Sequence, residues 1–185
     1  TSTTTEGAVH IVAPMSIPHA YVAPYAARMR AALRRPILAT GRFNQPQEAE
    51  RALREGQADM IGMTRAQICD PDMAGKALAD RGDEIRACIA CNQACIGHYA
   101  LGAPISCIQH PETGRELDYD ELPPASRSRR IVVVGGGPAG LKAAAVAAAR
   151  GHEVTLYEKA PRLGGQVLLA QLLPERAEFG GLVHN

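Results

Sequence analysis

The chain has 185 residues, and its 20 Lys and Arg nearly balance its 19 Asp and Glu, giving a formal net charge of +1. This balance gives no electrostatic case for a nucleic-acid partner or an anionic membrane surface. No run of about eighteen apolar residues is present, so we expect no membrane span. The chain lacks a starting Met and a signal-peptide pattern, and it stops in what looks like the middle of a domain. We therefore expect an internal piece of a longer polypeptide in a reducing, cytoplasmic compartment.

The first 87 residues predict two successive β-loop-α units. These elements are defined by apolar runs and by the positions of Pro and Gly. We expect Asn44 to cap the second helix, with Gln47 as its capping-box partner. Strands are expected at residues 9–14, 36–40 and 59–63, and helices at 21–34, 44–55 and 70–82. This repeat is typical of a parallel α/β barrel or a doubly wound sheet.

Two short polar segments follow two of the expected strands. Gly41-Arg42 and Thr64-Arg65 fall at carboxyl ends of strands, where barrel enzymes bind phosphate. Backbone N–H groups and guanidinium forks suit a phosphate dianion. The alternative is a pair of ordinary turns that carry surface arginines.

Four of the five cysteines lie close together in the middle of the chain. Cys88, Cys91 and Cys95 fall within eight positions, and Cys107 follows after eleven residues. A cubane iron–sulfur cluster takes four thiolates, often three close together and one distant. Zinc is the second interpretation, although its ligands usually come as two spaced pairs. Disulfides are the third, and they would leave Cys69 odd, which we expect to be a small buried side chain.

The last segment predicts a nucleotide-binding βαβ unit. A buried strand is expected at residues 131–134 and a second strand at 153–157, with a helix at 138–150 between them. Gly135, Gly137 and Gly140 satisfy the pattern G-x-G-x-x-G, and Glu158 follows the second strand as the expected acceptor for ribose hydroxyls. An acid there suits FAD or NAD(H) better than NADP(H). The alternative is a structural βαβ unit without a ligand.

This order of motifs resembles the iron–sulfur flavoenzymes related to Old Yellow Enzyme, which include 2,4-dienoyl-CoA reductase, trimethylamine dehydrogenase and N-methyl amino acid demethylases. The most specific part is Cys-Asn-Gln-Ala-Cys, residues 91–95. The resemblance implies that residues 1–87 are the last βα units of an FMN-binding TIM (β/α)8 barrel. It implies that residues 88–126 are a [4Fe-4S] segment with a linker, and that 127–185 begin a Rossmann-like FAD- or NAD(P)-binding domain.

The resemblance also implies roles for individual residues. The FMN phosphate would contact Gly41, Arg42, Thr64 and Arg65. The [4Fe-4S] ligands would be Cys88, Cys91, Cys95 and Cys107. FAD would contact Gly135, Gly137, Gly140, Glu158, Arg162, Gly164, Gly165 and Gln166. Relatives often carry Gly or Ala at the position of Thr64, so its hydroxyl would replace a backbone contact. The catalytic residues of the family lie on earlier barrel strands, outside this chain.

The implied function is an oxidoreductase that moves electrons between NAD(P)H or another carrier and a small substrate. The reaction is either enoyl-type reduction or oxidative N-demethylation of an N-methyl amine or amino acid. We also expect the rest of the same polypeptide, an electron acceptor protein and a homo-oligomer as partners. Two alternatives are an FAD-plus-iron–sulfur electron-transfer subunit and a zinc-stabilised structural module.

Overall fold

A computed structural model describes residues 9–119 and 122–183. The chain divides into two compact units, the first ending at Gly114 and the second beginning at Arg115. Among the helices of the described residues, none is long and apolar enough to cross a membrane.

The first unit consists of two strand-helix repeats followed by the cysteine segment. Its regular elements are α1 (Ala23–Ala32), β1 (Leu38–Thr40), α2 (Pro46–Arg54), β2 (Met60–Gly62), α3 (Thr64–Cys69), α4 (Met73–Leu78), a 3-10 turn (Gly82–Glu84), a π-helical turn (Gln93–Gly97) and α5 (His98–Ala100). Strands β1 and β2 pair in parallel, with Leu38 opposite Met60 and Thr40 opposite Gly62. The expected parallel α/β repeat is therefore present in this unit.

Three local expectations are corrected by the structure. Residues 9–11 are helical rather than part of a strand, because an apolar run this short has no periodicity that separates the two. The first turn of α2 is capped by Glu48, whose carboxylate accepts from the backbone N–H of Asn44 and Gln45. The capping pair is thus one residue later than expected. A helix also begins directly at Thr64, where the sequence indicated only a loop.

Small side chains form the core of the first unit. Alanines of α1, β1 and α2 pack with Ile37 and Phe43, and alanine lets helices lie close to the two strands. The buried members of this cluster are Ala23, Ala26, Ile37, Ala39, Phe43, Ala52 and Ala58. A second cluster joins Ala66, Met73 and Ile85 beneath the start of the cysteine segment.

A buried carboxylate connects the second cluster to the cysteine segment. The Asp70 side chain is 0% exposed and lies 2.6 Å from the Lys76 ammonium. It also accepts from the backbone N–H of Arg86 at 2.9 Å and of Asp72 at 3.2 Å. Burial alone would raise the pKa of Asp70, but the Lys76 and Arg86 hydrogen bonds hold that pKa below its ordinary value of 3.8.

The second unit is built on one βαβ repeat. Its elements are α6 (Glu116–Tyr119), β3 (Arg130–Val134), α7 (Pro138–Ala149), β4 (Glu153–Tyr157), α8 (Val167–Ala170) and a 3-10 segment (Ala177–Val183). Strands β3 and β4 are parallel, with Arg130 opposite Glu153 and Val134 opposite Tyr157. The expected strand, helix and strand of the nucleotide-binding unit are confirmed.

The expectation that β3 is buried is wrong for one of its faces. Val132 and Val134 are 62% and 85% exposed, and Tyr157 of β4 is also exposed. A parallel sheet in a doubly wound fold is normally covered on both faces. Helix α7 is the element that packs on this two-stranded sheet within the described residues, and it leaves these side chains uncovered.

The turn between β3 and α7 requires a glycine at position 140. A Cβ atom added to Gly140 would lie 1.9 Å from the carbonyl oxygen of Gly135, which is fixed backbone. A Cβ atom added to Gly137 meets no atom within 4 Å, and its φ of −75° suits any residue. The first glycine, Gly135, has a φ of +106° that other residues rarely adopt.

We predict that Asp70→Ala destabilises the region between α3 and the cysteine segment by about 3 kcal/mol, because it leaves the largely buried Lys76 charge without its partner. Asp72→Ala removes a neighbouring exposed carboxylate and changes stability by less than about 0.5 kcal/mol. Hydrogen exchange of the backbone amides of α3 and α4 measures the free energy of opening of this region in both variants. Because the pKa of Asp70 is lowered by folding, its contribution is complete above pH 3.8 and is lost as the pH falls through the native value. Equal protection in both variants would contradict this role of Asp70.

We predict that Gly140→Ala costs about 2 kcal/mol through overpacking against Gly135, seen as a melting temperature lower by several degrees. Gly137→Ala is the matched control and leaves the melting temperature of the ligand-free protein within about a degree of the wild type, since its Cβ enters open space. A similar decrease in melting temperature for the two variants would contradict the close contact between Gly140 and the Gly135 carbonyl.

Candidate functional site

A cavity of about 280 Å³ lies at the carboxyl ends of β1 and β2. Because the strands are parallel, the residues that follow them reach the same edge. All four residues expected to hold a phosphate line this cavity: Gly41, Arg42, Thr64 and Arg65. The sequence expectation that they lie together is met by the geometry, whereas their role as ligands remains a prediction.

Arg42 is built into this cavity rather than lying on the surface. It is 5% exposed, its φ is +53°, and its Nη1 donates to the Met15 carbonyl at 3.2 Å. Its own carbonyl accepts from the Ala20 N–H at 3.0 Å. A buried arginine is unusual unless it is paired, so this position does not fit an ordinary turn with a solvated side chain.

The four cysteines of the central segment line a second cavity. Cys88, Cys91, Cys95 and Cys107 surround it together with apolar side chains that include Ile68, Ile89 and Ile108. All five cysteines of the chain are free thiols. Arg65 lines this cavity as well as the one at the strand ends, so the two cavities share a wall.

Left-handed backbone positions shape the cysteine segment. Ala90 and Asn92 have φ values of +50° and +58°, on either side of Cys91. The π-helical turn Gln93–Gly97 then carries Cys95, and π-helical turns are frequent at functional sites. The Ser106 N–H donates to the Ala94 carbonyl at 2.7 Å, which brings the chain back and delivers Cys107.

Side-chain amides attach this segment to the strand-end loops. The Asn44 amide donates to the Cys88 carbonyl, and the Asn92 amide donates to the Val12 carbonyl at 2.8 Å. Gln109 donates to the Ala87 carbonyl at 2.8 Å and to the Cys69 sulfur at 3.2 Å. Sequence reasoning did not assign these amides a site role. The one available signal was an Asn between closely spaced cysteines, a residue that tolerates a left-handed turn.

The environment of the thiols differs from one cysteine to the next. Burial raises the pKa of Cys88 to about 11 and also raises the pKa of Cys91. The hydrogen bond from Cys69 lowers the pKa of Cys107 to about 6, and the same bond together with burial raises the pKa of Cys69. Cys69 is fully buried, as expected, but it is in contact with an expected ligand. His98 bonds to the Pro104 carbonyl at 3.0 Å, which supports a structural role for this histidine.

The four thiols that line this cavity are the donor set that a cubane iron–sulfur cluster takes. Among residues 9–119 and 122–183, no three His, Cys, Asp or Glu side chains meet around a point that would hold one metal ion. A cubane cluster binds each of its thiolates through a separate iron, so its four sulfurs surround a volume rather than a point. Four thiols around a shared, largely apolar cavity match that requirement.

In the second unit, the glycine-rich turn meets two later segments. The Gly136 N–H donates to Glu158 at 2.7 Å, and the Gly164 N–H donates to the Gly136 carbonyl at 2.8 Å. Backbone hydrogen bonds from Ala160 and Gly136 lower the pKa of Glu158, so it is a carboxylate at neutral pH. Gly165 also approaches Gly137, since a Cβ on Gly165 would lie 3.3 Å from the Gly137 Cα. Gly164 and Gly165 thus lie against the glycine-rich turn, while Arg162 and Gln166 are exposed.

Comparisons with known proteins match both units of the chain to described families. Residues 5–84 match the NADH:flavin oxidoreductase / NADH oxidase family. Residues 133–184 match the NAD(P)-binding Rossmann-like domain. The intervening cysteine segment lies between the two matches.

Individual relatives align along most of this chain. A metal reductase of Desulforamulus reducens is 42% identical over 89% of the chain, and an N,N-dimethylglycine/sarcosine dehydrogenase of Chromohalobacter salexigens is 39% identical over 94%. The alignments cover 25% of each relative. The solved structure of a 2-naphthoyl-CoA reductase superposes with a TM-score of 0.85 and 33% identity, covering 92% of this chain and 26% of that one. The chain therefore spans about a quarter of the length of these relatives, and its residues 5–84 are similar to the NADH:flavin oxidoreductase / NADH oxidase family.

Proposed function

We propose that the chain is the cofactor-bearing part of a flavin- and iron–sulfur-dependent oxidoreductase. The observation that carries the proposal is the shared wall between the two cavities of the first unit. Arg65 lines both the cavity at the strand ends and the cavity of the four cysteines. A phosphate-bound flavin and a cluster would therefore be neighbours, as electron transfer between them requires.

The strand-end cavity is the proposed site of the FMN phosphate. Gly41 and Thr64 would offer a backbone N–H and a hydroxyl, and the guanidinium groups of Arg42 and Arg65 would balance the dianion. In this proposal residues 1–87 are the last βα units of a TIM (β/α)8 barrel, in which the loops after the final strands bind phosphate. The parallel β1–β2 pair and the family match over residues 5–84 support this arrangement.

The cysteine cavity is the proposed [4Fe-4S] site, within a segment of residues 88–126. Cys88, Cys91, Cys95 and Cys107 would be its ligands, and Ile68, Ile89 and Ile108 would keep water from the sulfurs. Flavins exchange hydride equivalents whereas iron–sulfur centres carry single electrons, so the pair converts two-electron into one-electron chemistry. The protein contributes the placement and the electrostatic environment of the two groups.

The glycine-rich turn of the second unit is the proposed FAD site, with NAD(P)H as a further nucleotide of the complete enzyme. Gly137 leaves open space for a pyrophosphate at the start of α7, and Glu158 would accept from ribose hydroxyls. Its carboxylate would repel a 2′-phosphate. Gly164 and Gly165 lie beside the turn and would extend the site, with Arg162 and Gln166 next to them.

The size of the relatives and the exposed face of β3 support the presence of further parts of the same polypeptide. The chain spans a quarter of its relatives, and the uncovered Val132 and Val134 indicate that further sheet or helix packs on β3. We propose that the rest of the same polypeptide supplies this layer and the catalytic residues, in a cytoplasmic homo-oligomer. The substrate class is an unsaturated acyl compound or an N-methyl amine, with an electron acceptor protein in the second case.

We predict that the complete polypeptide, purified without oxygen, shows flavin absorption together with a broad iron–sulfur shoulder. The spectrum is recorded before and after addition of NADH, NADPH, sarcosine or dimethylglycine. Bleaching by a nicotinamide supports the reductase and bleaching by an amine alone supports the demethylase. A colourless, zinc-containing protein would contradict the proposal and support the structural module.

Gly137→Ala, which leaves the ligand-free fold intact, is expected to lower FAD content while FMN content stays unchanged.

A further inference from the structure

Asn92 makes two hydrogen bonds at once to groups outside the cysteine segment. Its Nδ2 donates to the Val12 carbonyl at 2.8 Å, and its Oδ1 accepts from Arg65 Nη1 at 2.6 Å. Its own carbonyl accepts from the Gly97 N–H at 3.0 Å, which closes the π-helical turn. The residue therefore connects the turn that carries Cys95 to an arginine of the strand-end cavity.

Arg65 is the residue through which this connection reaches the phosphate site. It lies in the first turn of α3, three residues after the last residue of β2, and it lines both cavities. A guanidinium has five N–H donors in a fixed plane. One hydrogen bond to Asn92 fixes that plane and leaves other donors for an anion.

We propose that Asn92 is a positioning residue for flavin binding: it orients the Arg65 guanidinium toward the phosphate and thereby couples phosphate binding to the fold of the cysteine segment. This inference rests on the proposed function. Asparagine suits the task because it tolerates a φ of +58° and offers a donor and an acceptor together. An aspartate would lose the bond to the Val12 carbonyl, and an apolar residue would lose both bonds.

Coupling of this kind is reciprocal. If the ordered cysteine segment holds Arg65 in place for the phosphate, bound FMN must in turn stabilise the cysteine segment by the same factor. Arg65 and Asn92 would then make cluster assembly and flavin retention depend on each other.

The test uses the complete polypeptide, stripped of FMN, and follows flavin fluorescence to obtain the Kd for FMN. Asn92→Gly removes the amide and keeps a residue suited to the left-handed backbone, so it separates the hydrogen bonds from strain. We expect it to raise the Kd roughly tenfold, the effect of misplacing one charge-assisted donor. Gln93→Ala is the matched control, because it removes an exposed amide from the same segment, and the Kd stays unchanged.

A double-mutant cycle separates this role from general damage to the fold. Arg65→Ala raises the Kd by itself, and adding Asn92→Gly has no further effect, since Asn92 acts through Arg65. Additive effects, or an unchanged Kd in Asn92→Gly, would overturn the inference while leaving the flavoenzyme intact. Failure of the wild-type protein to bind FMN would instead overturn the proposed function.

If Asn92→Gly loses its iron, Asn92→Asp takes its place. The aspartate keeps the acceptor for Arg65, but its negative charge offsets the positive charge that Arg65 presents to the phosphate, so FMN binding is again weaker than in the wild type, and this loss disappears when Arg65 is already alanine. Wild-type affinity in this variant would overturn the inference. The electron paramagnetic resonance spectrum of the reduced cluster is a second readout of the coupling. Removing FMN should alter the line shape of the cluster signal in the wild type, and it should leave the line shape unaltered in Asn92→Gly.

Discussion

The parallel pairing of β1 with β2 is the constraint on which the first unit depends. It brings the segments after both strands to one edge, so that Arg42 and Arg65 line the same cavity. The same edge is where the cysteine segment is attached, through Asn44 to the Cys88 carbonyl and through Asn92 to Arg65. A short pair of strands thus determines where two chemically different sites lie relative to each other.

Polar contacts rather than a large apolar core hold the cysteine segment in place. Asp70 is fully buried and fixes the backbone at Arg86, just before the first cysteine. Gln109, just after the last cysteine of the segment, donates hydrogen bonds to the Ala87 carbonyl and to the Cys69 sulfur. Buried polar groups of this kind cost free energy unless they are fully satisfied, but they specify one backbone path. The backbone beside Cys91 contains left-handed residues, which a flexible segment would rarely adopt. The polar contacts hold this backbone in one conformation, so that the four cysteine sulfurs line one cavity.

Local patterns in the sequence were sufficient to predict most of the regular elements, whereas contacts between distant residues could not be predicted from it. The spacing of apolar residues and glycines predicts α1, α7 and β4 closely, because these depend on periodicity and on a turn that excludes side chains. The exposure of Val132 and the additional helix α3 at Thr64 were missed, since both depend on what packs nearby. The cysteines were identified by their spacing, whereas Asp70 and Asn92 act through partners up to 80 residues away.

The central claim is that the four cysteines hold an iron–sulfur cluster beside a phosphate-bound flavin. Iron and acid-labile sulfide, measured per polypeptide in the complete protein, test it most directly. We expect about four of each in the wild type, strong loss in Cys91→Ser, and retention in Cys69→Ser, since Cys69 contacts Cys107 but does not line the cavity. Zinc without sulfide, or equal loss of iron in both variants, would contradict it.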